Sequence, residues 1–214
     1  MKVLAVDTSA LVATVAVTED NKLLGEYILN HRKTHSQKLM PMIEEVLESL
    51  EIKPQDIDVY AASSGPGSFT GLRIGITTVK ALAYALKKPV VSVPTLDALA
   101  YNVPVTDSLI CPIMDARNDQ VFTGIYEWDG KCQSRLADNM AVHISELIKI
   151  IKEKNIKTVF VGDAVELHSR LLKNELGDMC MFAPPNLLVQ RASSVAFLAY
   201  ERALSGNLES SFDM

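Results

Sequence analysis

The sequence has few cysteines and histidines, from which disulfide frameworks and zinc sites are built, and it has no long apolar run. Its 214 residues include only three cysteines, which are far apart and form no CxxC pair. Because an odd number of dispersed cysteines suits a reducing compartment, we expect a cytoplasmic protein without a zinc site. No apolar run approaches the roughly 20 residues that span a bilayer, and the first residues show no pattern for signal-peptide cleavage.

Positive charge is also scarce. The net charge is −5 at pH 7, whereas a protein that holds nucleic acid alone usually presents a basic face. The one basic cluster lies at residues 31–38, where such a run is more often a solvated loop than a binding site. With 48% hydrophobic and 22% charged residues, the composition predicts a globular protein that does not bind nucleic acid strongly by itself.

The predicted elements occur twice along the chain in the same order. Each half begins with a strand that ends at an aspartate, Asp7 in the first half and Asp115 in the second. A hairpin, a helix, a buried strand, a helix, a short strand and a final helix follow in both halves, which gives βββαβαβα twice. This order predicts a duplicated α/β protein of the two-lobed actin-like ATPase (ASKHA, ribonuclease H-like) fold. The turn-rich segment 102–107 separates the predicted lobes, 1–104 and 105–214.

A glycine-rich turn opens the second long helix. It lies within Ser63–Gly75 and lacks the Gly-Lys pair of a Walker A loop. It also lacks the last glycine of the GxGxxG motif, because position 70 is threonine. Small residues instead continue at helical spacing along the helix, at Gly71, Gly75 and Thr78. Because small residues let another helix approach closely, we favour an interface or core contact over phosphate binding.

We predict that this helix and the one before it, His35–Leu50, form the working surface of the protein. His35–Leu50 carries an apolar stripe and flexible methionines, which suit an adaptable contact surface. Two helices from each of two subunits would make a four-helix interface. The residues predicted to lie closest between subunits are Met40, Ile43, Leu47, Gly71, Gly75 and Thr78.

Two aspartates allow a second interpretation of the chain. Asp7 with Thr8, and Asp115 in the second half, stand where an actin-like kinase holds its metal and phosphate. These residues would form a weak nucleotide-binding site in an ATPase or kinase. The alternative is that both aspartates cap local turns through side-chain hydrogen bonds. The residues alone leave both interpretations open.

Four motifs resemble the bacterial TsaB (YeaZ) family. They are Val6-Asp7-Thr8-Ser9, His35-Ser36-Gln37-Lys38-Leu39-Met40-Pro41, Ser64–Gly75 and Asp115-Ala116-Arg117. The resemblance covers essentially the whole chain, and Ser64–Gly75 is its most specific part. The family's usual C-terminal Pro-x-Tyr-x-Arg segment is missing, because residues 208–214 read Leu-Glu-Ser-Ser-Phe-Asp-Met.

This resemblance implies a subunit of the bacterial machinery that forms N6-threonylcarbamoyladenosine (t6A) in tRNAs reading ANN codons. In that machinery the transfer is made by a catalytic paralogue, TsaD, which has the same fold, and a P-loop ATPase, TsaE, joins the two. The resemblance implies that this chain is the partner and activator of TsaD, that it forms homodimers, and that it meets tRNA only through the complex. ATP and Mg²⁺ act in the complex, and we expect no cofactor or metal on this chain alone.

One departure from the paralogue favours a non-catalytic role. In TsaD two histidines four residues apart bind the catalytic metal, and laying that pattern on this chain puts Thr95 and Leu99 at their positions. Leucine cannot ligate a metal, and a lone threonine is a poor replacement. We therefore predict a scaffold subunit with no catalytic residues of its own. The alternatives are an actin-like ATPase or kinase that uses Asp7 and Asp115 and, less favoured, a metalloprotease.

Overall fold

The computed structural model describes residues 1–31, 35–105 and 107–211. Part of the predicted basic cluster at 31–38, one residue of the predicted linker at 102–107 and the end of the segment 208–214 therefore lie outside the described residues. Within the described ranges, no helix is both long enough and apolar enough to cross a membrane.

The elements of the first half follow the predicted order. The strands are β1 (Lys2–Asp7), β2 (Ala13–Glu19), β3 (Lys22–Leu29), β4 (Val59–Ser63) and β5 (Val90–Val93). The helices are α1 (His35–Ser49), α2 (Phe69–Leu86) and α3 (Thr95–Tyr101), and a 3₁₀ turn at Pro54–Asp56 precedes β4.

The second half repeats that order. Its strands are β6 (Leu109–Asp115), β7 (Gln120–Trp128), β8 (Gln133–His143), β9 (Thr158–Val161) and β10 (Cys180–Phe182). Its helices are α4 (Ile144–Lys154), α5 (Ala164–Leu176) and α6 (Ala192–Leu204), with 3₁₀ turns at Gly177–Met179 and Pro185–Leu187.

Each half contributes one five-stranded sheet, and the two sheets share one topology. The strand orders are β3-β2-β1-β4-β5 and β10-β9-β6-β7-β8. The first strand of each half pairs antiparallel with the second and parallel with the fourth, as β1 does with β2 and β4 and as β6 does with β7 and β9. The order is therefore the same when the second sheet is read from β8 to β10. This confirms the predicted duplicated α/β architecture.

Helices cover the sheets through the apolar stripes seen in the sequence. Because side chains alternate along a strand, one face of β1 presents Leu4 and Val6, and these pack in one core with Leu39, Ile43 and Val46 of α1. The core of the second half is built in the same way. It contains Ile113 and Phe160 from the sheet and Leu147, Ile151 and Leu172 from the helices.

Contacts divide the chain into two compact units. The first unit contains Met1–Ala98 and Gln190–Met214, and the second contains Leu99–Val189. These units differ from the predicted lobes, 1–104 and 105–214, because the last helix belongs with the first sheet. The repeat assigned each helix to a lobe by its order in the chain, and order alone does not reveal a helix that returns to the first half.

Small residues and the carboxylate of Glu26, which also forms an ion pair with Arg191, fix α6 on the first sheet. Ala196 and Ala199 of α6 share a core with Ala5 of β1, and short side chains let a helix lie close to a sheet. At the start of α6, the carboxylate of Glu26 on β3 accepts a hydrogen bond from the N–H of Ser193 at 2.9 Å. A negative charge is favourable at a helix N-terminus, where N–H groups lack partners within the helix.

Candidate functional site

The glycine-rich turn between β4 and α2 lies directly against the loop after β1. The N–H of Ser68 donates to the carbonyl oxygen of Ser9 at 2.6 Å. Gly67 has a φ of +153°, and a Cβ built at this position would overlap the same carbonyl oxygen. A larger residue at position 67 would therefore force the turn away from the loop.

The next two glycines bring α2 onto the same loop. A Cβ at Gly71 would overlap the carbonyl oxygen of Thr8, and a Cβ at Gly75 would overlap its hydroxyl oxygen. The hydroxyl of Thr8 donates to the carbonyl oxygen of Gly71 at 2.7 Å. Both glycines face Thr8 within their own unit, and these contacts weigh against our prediction that Gly71 and Gly75 pack a helix of another subunit.

Several backbone donors of the turn are already used inside the unit. The N–H of Ser64 donates to Val93 at 2.9 Å, and the N–H of Gly65 donates to the hydroxyl of Thr95 at 3.2 Å. Further along, the N–H of Gly71 donates to the hydroxyl of Ser68 at 3.3 Å, which caps the start of α2. A phosphate bound here would have to compete with these partners.

Asp7 joins the end of β1 to the neighbouring strand and loop. It is buried and accepts hydrogen bonds from the N–H of Ser9 at 2.8 Å, from the hydroxyl of Ser9 at 2.6 Å and from the hydroxyl of Ser63. Burial raises the pKa of Asp7 above its ordinary 3.8, although these three hydrogen bonds act in the opposite direction. Thr8 is buried as well. These contacts are those of a side chain that fixes a turn.

The raised pKa of Asp7 makes stability depend on pH in a defined direction. A carboxyl with a higher pKa in the folded protein contributes stability that is complete below its unfolded pKa and is lost as pH rises through the folded pKa. We expect the unfolding free energy of the wild type to fall relative to that of Asp7→Asn as the pH rises above about 4, measured by urea denaturation. Asparagine keeps an acceptor for Ser9 and cannot ionise.

Asp129 supplies a control of opposite sign. Hydrogen bonds from the N–H groups of Cys132 and Lys131 lower the pKa of its exposed carboxyl. Stability from Asp129 is therefore present above its unfolded pKa and is lost as the pH falls. If Asp7→Asn and Asp129→Asn change the pH dependence of the unfolding free energy in the same direction, the burial of Asp7 does not control its ionisation.

Asp115 occupies the equivalent place in the second unit but is exposed. Its carboxylate accepts a hydrogen bond from the N–H of Arg117 at 2.8 Å, and its own N–H donates to Asp163 at 3.3 Å. Arg117, Asn118 and Asp119 follow with φ values of +68°, +50° and +56°. Burial, more than the nearby charge of Asp115, raises the pKa of the Asp163 carboxyl. Asp115 therefore also holds a tight turn.

Thr95 and Leu99, which the resemblance places at the metal-binding histidines of the paralogue, are used for contacts within the fold. Thr95 is fully buried, and its N–H donates to the carbonyl oxygen of Gly65 at 2.8 Å. Leu99 is also fully buried, and its side chain lies 3.0 Å from where a Cβ at Gly162 would stand. In the ranges that the structure describes, no three His, Cys, Asp or Glu side chains come together as a metal-binding group.

The predicted contact residues of α1 line a small apolar groove, which we call the α1 groove. It has a volume of about 290 Å³ and lies between α1, the 3₁₀ turn and α2. Met40 on its rim is 38% exposed, whereas Ile43 and Leu47 are 2% and 5% exposed. Ile43 and Leu47 belong to the core of the first unit and reach the groove only as its floor. Met40 therefore offers more surface to a partner than the other two.

The exposed face of α2 carries two large side chains that are not among the predicted contact residues, Phe69 and Arg73. Phe69 is 75% exposed, and the guanidinium of Arg73 lies 5.4 Å from the centre of its ring. Thr78, a predicted contact residue, lines a groove of about 470 Å³ together with these two side chains and Thr77. Phe69 and Arg73 are four residues apart, and an aromatic residue paired with an arginine at helical spacing is the signal that could have indicated them from the sequence.

Charge differs between the two neighbouring helices. The exposed side of α1 carries three acidic residues, and α2 and its C-terminal cap carry Arg73, Lys80 and Lys87. The acidic residues of α1 are Glu44, Glu45 and Glu48. One surface of the first unit thus presents an acidic helix beside a basic one, and such a surface is complementary to a copy of itself related by a twofold axis.

Known proteins match most of the chain. A protein-family model described as TsaD, tRNA N6-adenosine threonylcarbamoyltransferase, matches residues 22–211. The tRNA threonylcarbamoyladenosine biosynthesis protein TsaB of Bacillus subtilis is 34% identical over 202 residues, which cover 94% of this chain and 88% of that relative.

Solved structures share the fold at lower identity. A Pseudomonas aeruginosa protein described as similar to the peptidase YeaZ superposes with a TM-score of 0.83 at 23% identity, covering 100% of this chain and 96% of that one. The ROK hexokinase of Thermus thermophilus superposes with a TM-score of 0.56 at 12% identity, covering 95% and 100%. These likenesses confirm the two-lobed actin-like fold. With the identity to the Bacillus subtilis protein, they lead to one assignment: the chain belongs to the TsaB (YeaZ) family.

Proposed function

We propose that this chain is a non-catalytic scaffold and activator subunit of the bacterial complex that forms N6-threonylcarbamoyladenosine in tRNA. Its catalytic partner in this proposal is a TsaD-like paralogue. One observation carries the proposal: Thr95 and Leu99 are fully buried and make contacts within the fold. The resemblance places these two residues where the paralogue has its metal-binding histidines. The names of the family model and of the Bacillus subtilis relative support the pathway.

The remaining components follow from this assignment. ATP and Mg²⁺ act in the complex, a TsaE-like P-loop ATPase joins it, and tRNA is bound through the complex and not by this acidic chain alone. Asp7 and Thr8 are buried and hydrogen-bonded inside the first unit, which weighs against a nucleotide site built on them. None of the three cysteines forms a disulfide within the described residues, which suits a cytoplasmic protein.

The surface formed by α1 and α2 is the proposed docking site. It combines the exposed aromatic Phe69, the flexible Met40 and the charge difference between the two helices. Exposed aromatic and arginine side chains are the residue types that dominate binding energy at interfaces. A homodimer and the complex with the paralogue would use the same surface, so the two assemblies compete.

Reconstitution tests the proposed function. Purified chain, TsaD-like paralogue and TsaE-like ATPase are incubated with tRNA, ATP and threonylcarbamoyl-adenylate, and modified adenosine is quantified by mass spectrometry after nuclease digestion. We expect modification with all components, a large loss when this chain is omitted, and none from this chain alone. Modification by the paralogue at an unchanged rate without this chain would contradict the proposal. Turnover of Mg-ATP by this chain alone would instead favour the kinase alternative.

A further inference from the structure

The chain returns to the edge of the first sheet after α6. Glu209 forms an antiparallel bridge with Val90, with N–H to O distances of 2.9 and 3.0 Å in the two directions. Its carboxylate also accepts a hydrogen bond from the hydroxyl of Ser92. Because β5 is the outermost strand on that side of the sheet, this bridge covers an edge that would otherwise be open to another strand.

The same residues lie beside the exposed face of α2. We call Leu208–Ser211 the terminal segment. With the last turn of α2 it lines a groove of about 790 Å³, and its residue Ser211 also lines a groove of about 480 Å³ that extends along α2 to Arg73. Tyr84 and Ser211 line both grooves, so the two grooves are continuous. The terminal segment is thus one wall of the surface that α2 presents.

The contacts that hold the terminal segment beside α2 and β5 contribute little to stability. Leu208, its largest apolar side chain among the described residues, is 47% exposed, and Ser210 is also exposed. Its bridge to β5 replaces hydrogen bonds with water, and such an exchange contributes only modestly to stability. Ordering the backbone of four residues opposes that gain. A small competing interaction is therefore enough to displace the segment from α2.

We propose that the terminal segment is a detachable cover of the C-terminal half of α2 and that it competes with the TsaD-like paralogue for this face. This inference rests on the proposed function, which assigns α2 to the paralogue. The face is basic, with Lys80 and Lys87 on it and Arg73 at the far end of the adjoining groove, and the covering segment contributes the acidic Glu209. A partner helix that is apolar with acidic flanks would therefore take the place of the segment.

Two variants release the segment in different ways. One is a chain shortened after Asn207, and the other is Glu209→Pro, which removes both the N–H that donates to Val90 and the carboxylate that binds Ser92. Glu201→Gln is the control, because Glu201 is an exposed acidic residue on α6 outside the segment. Dissociation constants with the purified paralogue are measured by calorimetry. The rates of lysine acetylation at Lys80 and Lys87 are compared in the isolated chains.

We expect both releasing variants to bind the paralogue about fivefold or more tightly than the wild type, and their lysines to react faster, with Glu201→Gln unchanged. Unchanged or weaker affinity of folded variants would overturn the competition while leaving the proposed function intact. If the wild type and all folded variants fail to bind the paralogue, the proposed function itself is overturned. Equal acetylation rates in all chains would show that the segment does not cover α2.

Discussion

Replacing Gly71 with valine is expected to destabilise the first unit by about 3 kcal/mol or more, or to prevent it from folding. The reason is that the atom opposite Gly71 is the backbone carbonyl oxygen of Thr8, which no rotamer change can move. The loop after β1 or the start of α2 would have to shift, and Thr8 would lose its hydrogen bond to Gly71. Urea denaturation and the yield of soluble protein measure the effect.

Gly75 provides a matched comparison in the same helix. Its opposing atom is the side-chain hydroxyl of Thr8 and not the backbone. Gly75→Ala is therefore expected to cost less than Gly71→Ala, and adding Thr8→Ala should recover part of the loss at position 75 but none at position 71. Thr77→Ala, on the exposed side of α2, should change stability by no more than about 0.5 kcal/mol. Equal recovery at both glycines would contradict this geometry.

These contacts also change what a glycine substitution can reveal about partners. The small-residue stripe alone suggests that a bulky residue at Gly75 would report on an interface. Because Gly75 faces Thr8, loss of partner binding in such a variant would follow from damage to the fold. A probe of docking must instead change exposed side chains.

The double substitution Phe69→Ala and Arg73→Glu is the corresponding test of docking. We expect it to weaken binding to the TsaD-like paralogue roughly 30-fold or more, or by about 2 kcal/mol, because it removes an exposed aromatic anchor and reverses a charge on the basic helix. Phe69 is 75% exposed, so its removal should leave the unfolding free energy within about 0.5 kcal/mol of the wild type. Calorimetry with the paralogue and urea denaturation give the two values.

Leu167→Ala is the control for this test. Leu167 lies on α5 in the second unit and is 63% exposed, so it resembles Phe69 in exposure and apolar character but lies on another surface. We expect it to leave affinity for the paralogue unchanged. Sedimentation of the isolated chain should show that the double substitution also weakens the homodimer. Normal affinity of a folded Phe69→Ala, Arg73→Glu variant would remove α2 from the proposed docking surface.

The architecture was predictable because it depends on local patterns that occur twice. Alternating apolar residues and an aspartate at the end of each first strand define the sheets, and Asp7 and Asp115 both end strands as predicted. The glycine spacing on α2 correctly indicated a close approach but not its partner. That partner, Thr8, is 63 residues before Gly71 in the chain. Helical spacing shows which residues share a face and carries no information about what that face meets.

The same limit applies to α1 and α6. Ile43 and Leu47 lie on one helical stripe with Met40, but the sheet takes up most of the surface of the first two and leaves Met40 at the rim. Sequence order likewise placed α6 with the second half, whereas its alanines match the first sheet. In each case the deciding contact joins residues distant in sequence, which periodicity does not encode.

The return of α6 to the first sheet has a consequence for how the protein is made. The second unit is one continuous stretch, and its last residue, Val189, is translated before any residue of α6. The face of the first sheet that packs against Ala196 and Ala199 therefore lacks α6 until this last helix has been synthesised. Domains usually complete their folding in the order of synthesis. Here the second unit, which lies in the middle of the chain, is fully synthesised before the first unit. The first unit, which begins the chain, can therefore complete its fold only after the second unit has been synthesised.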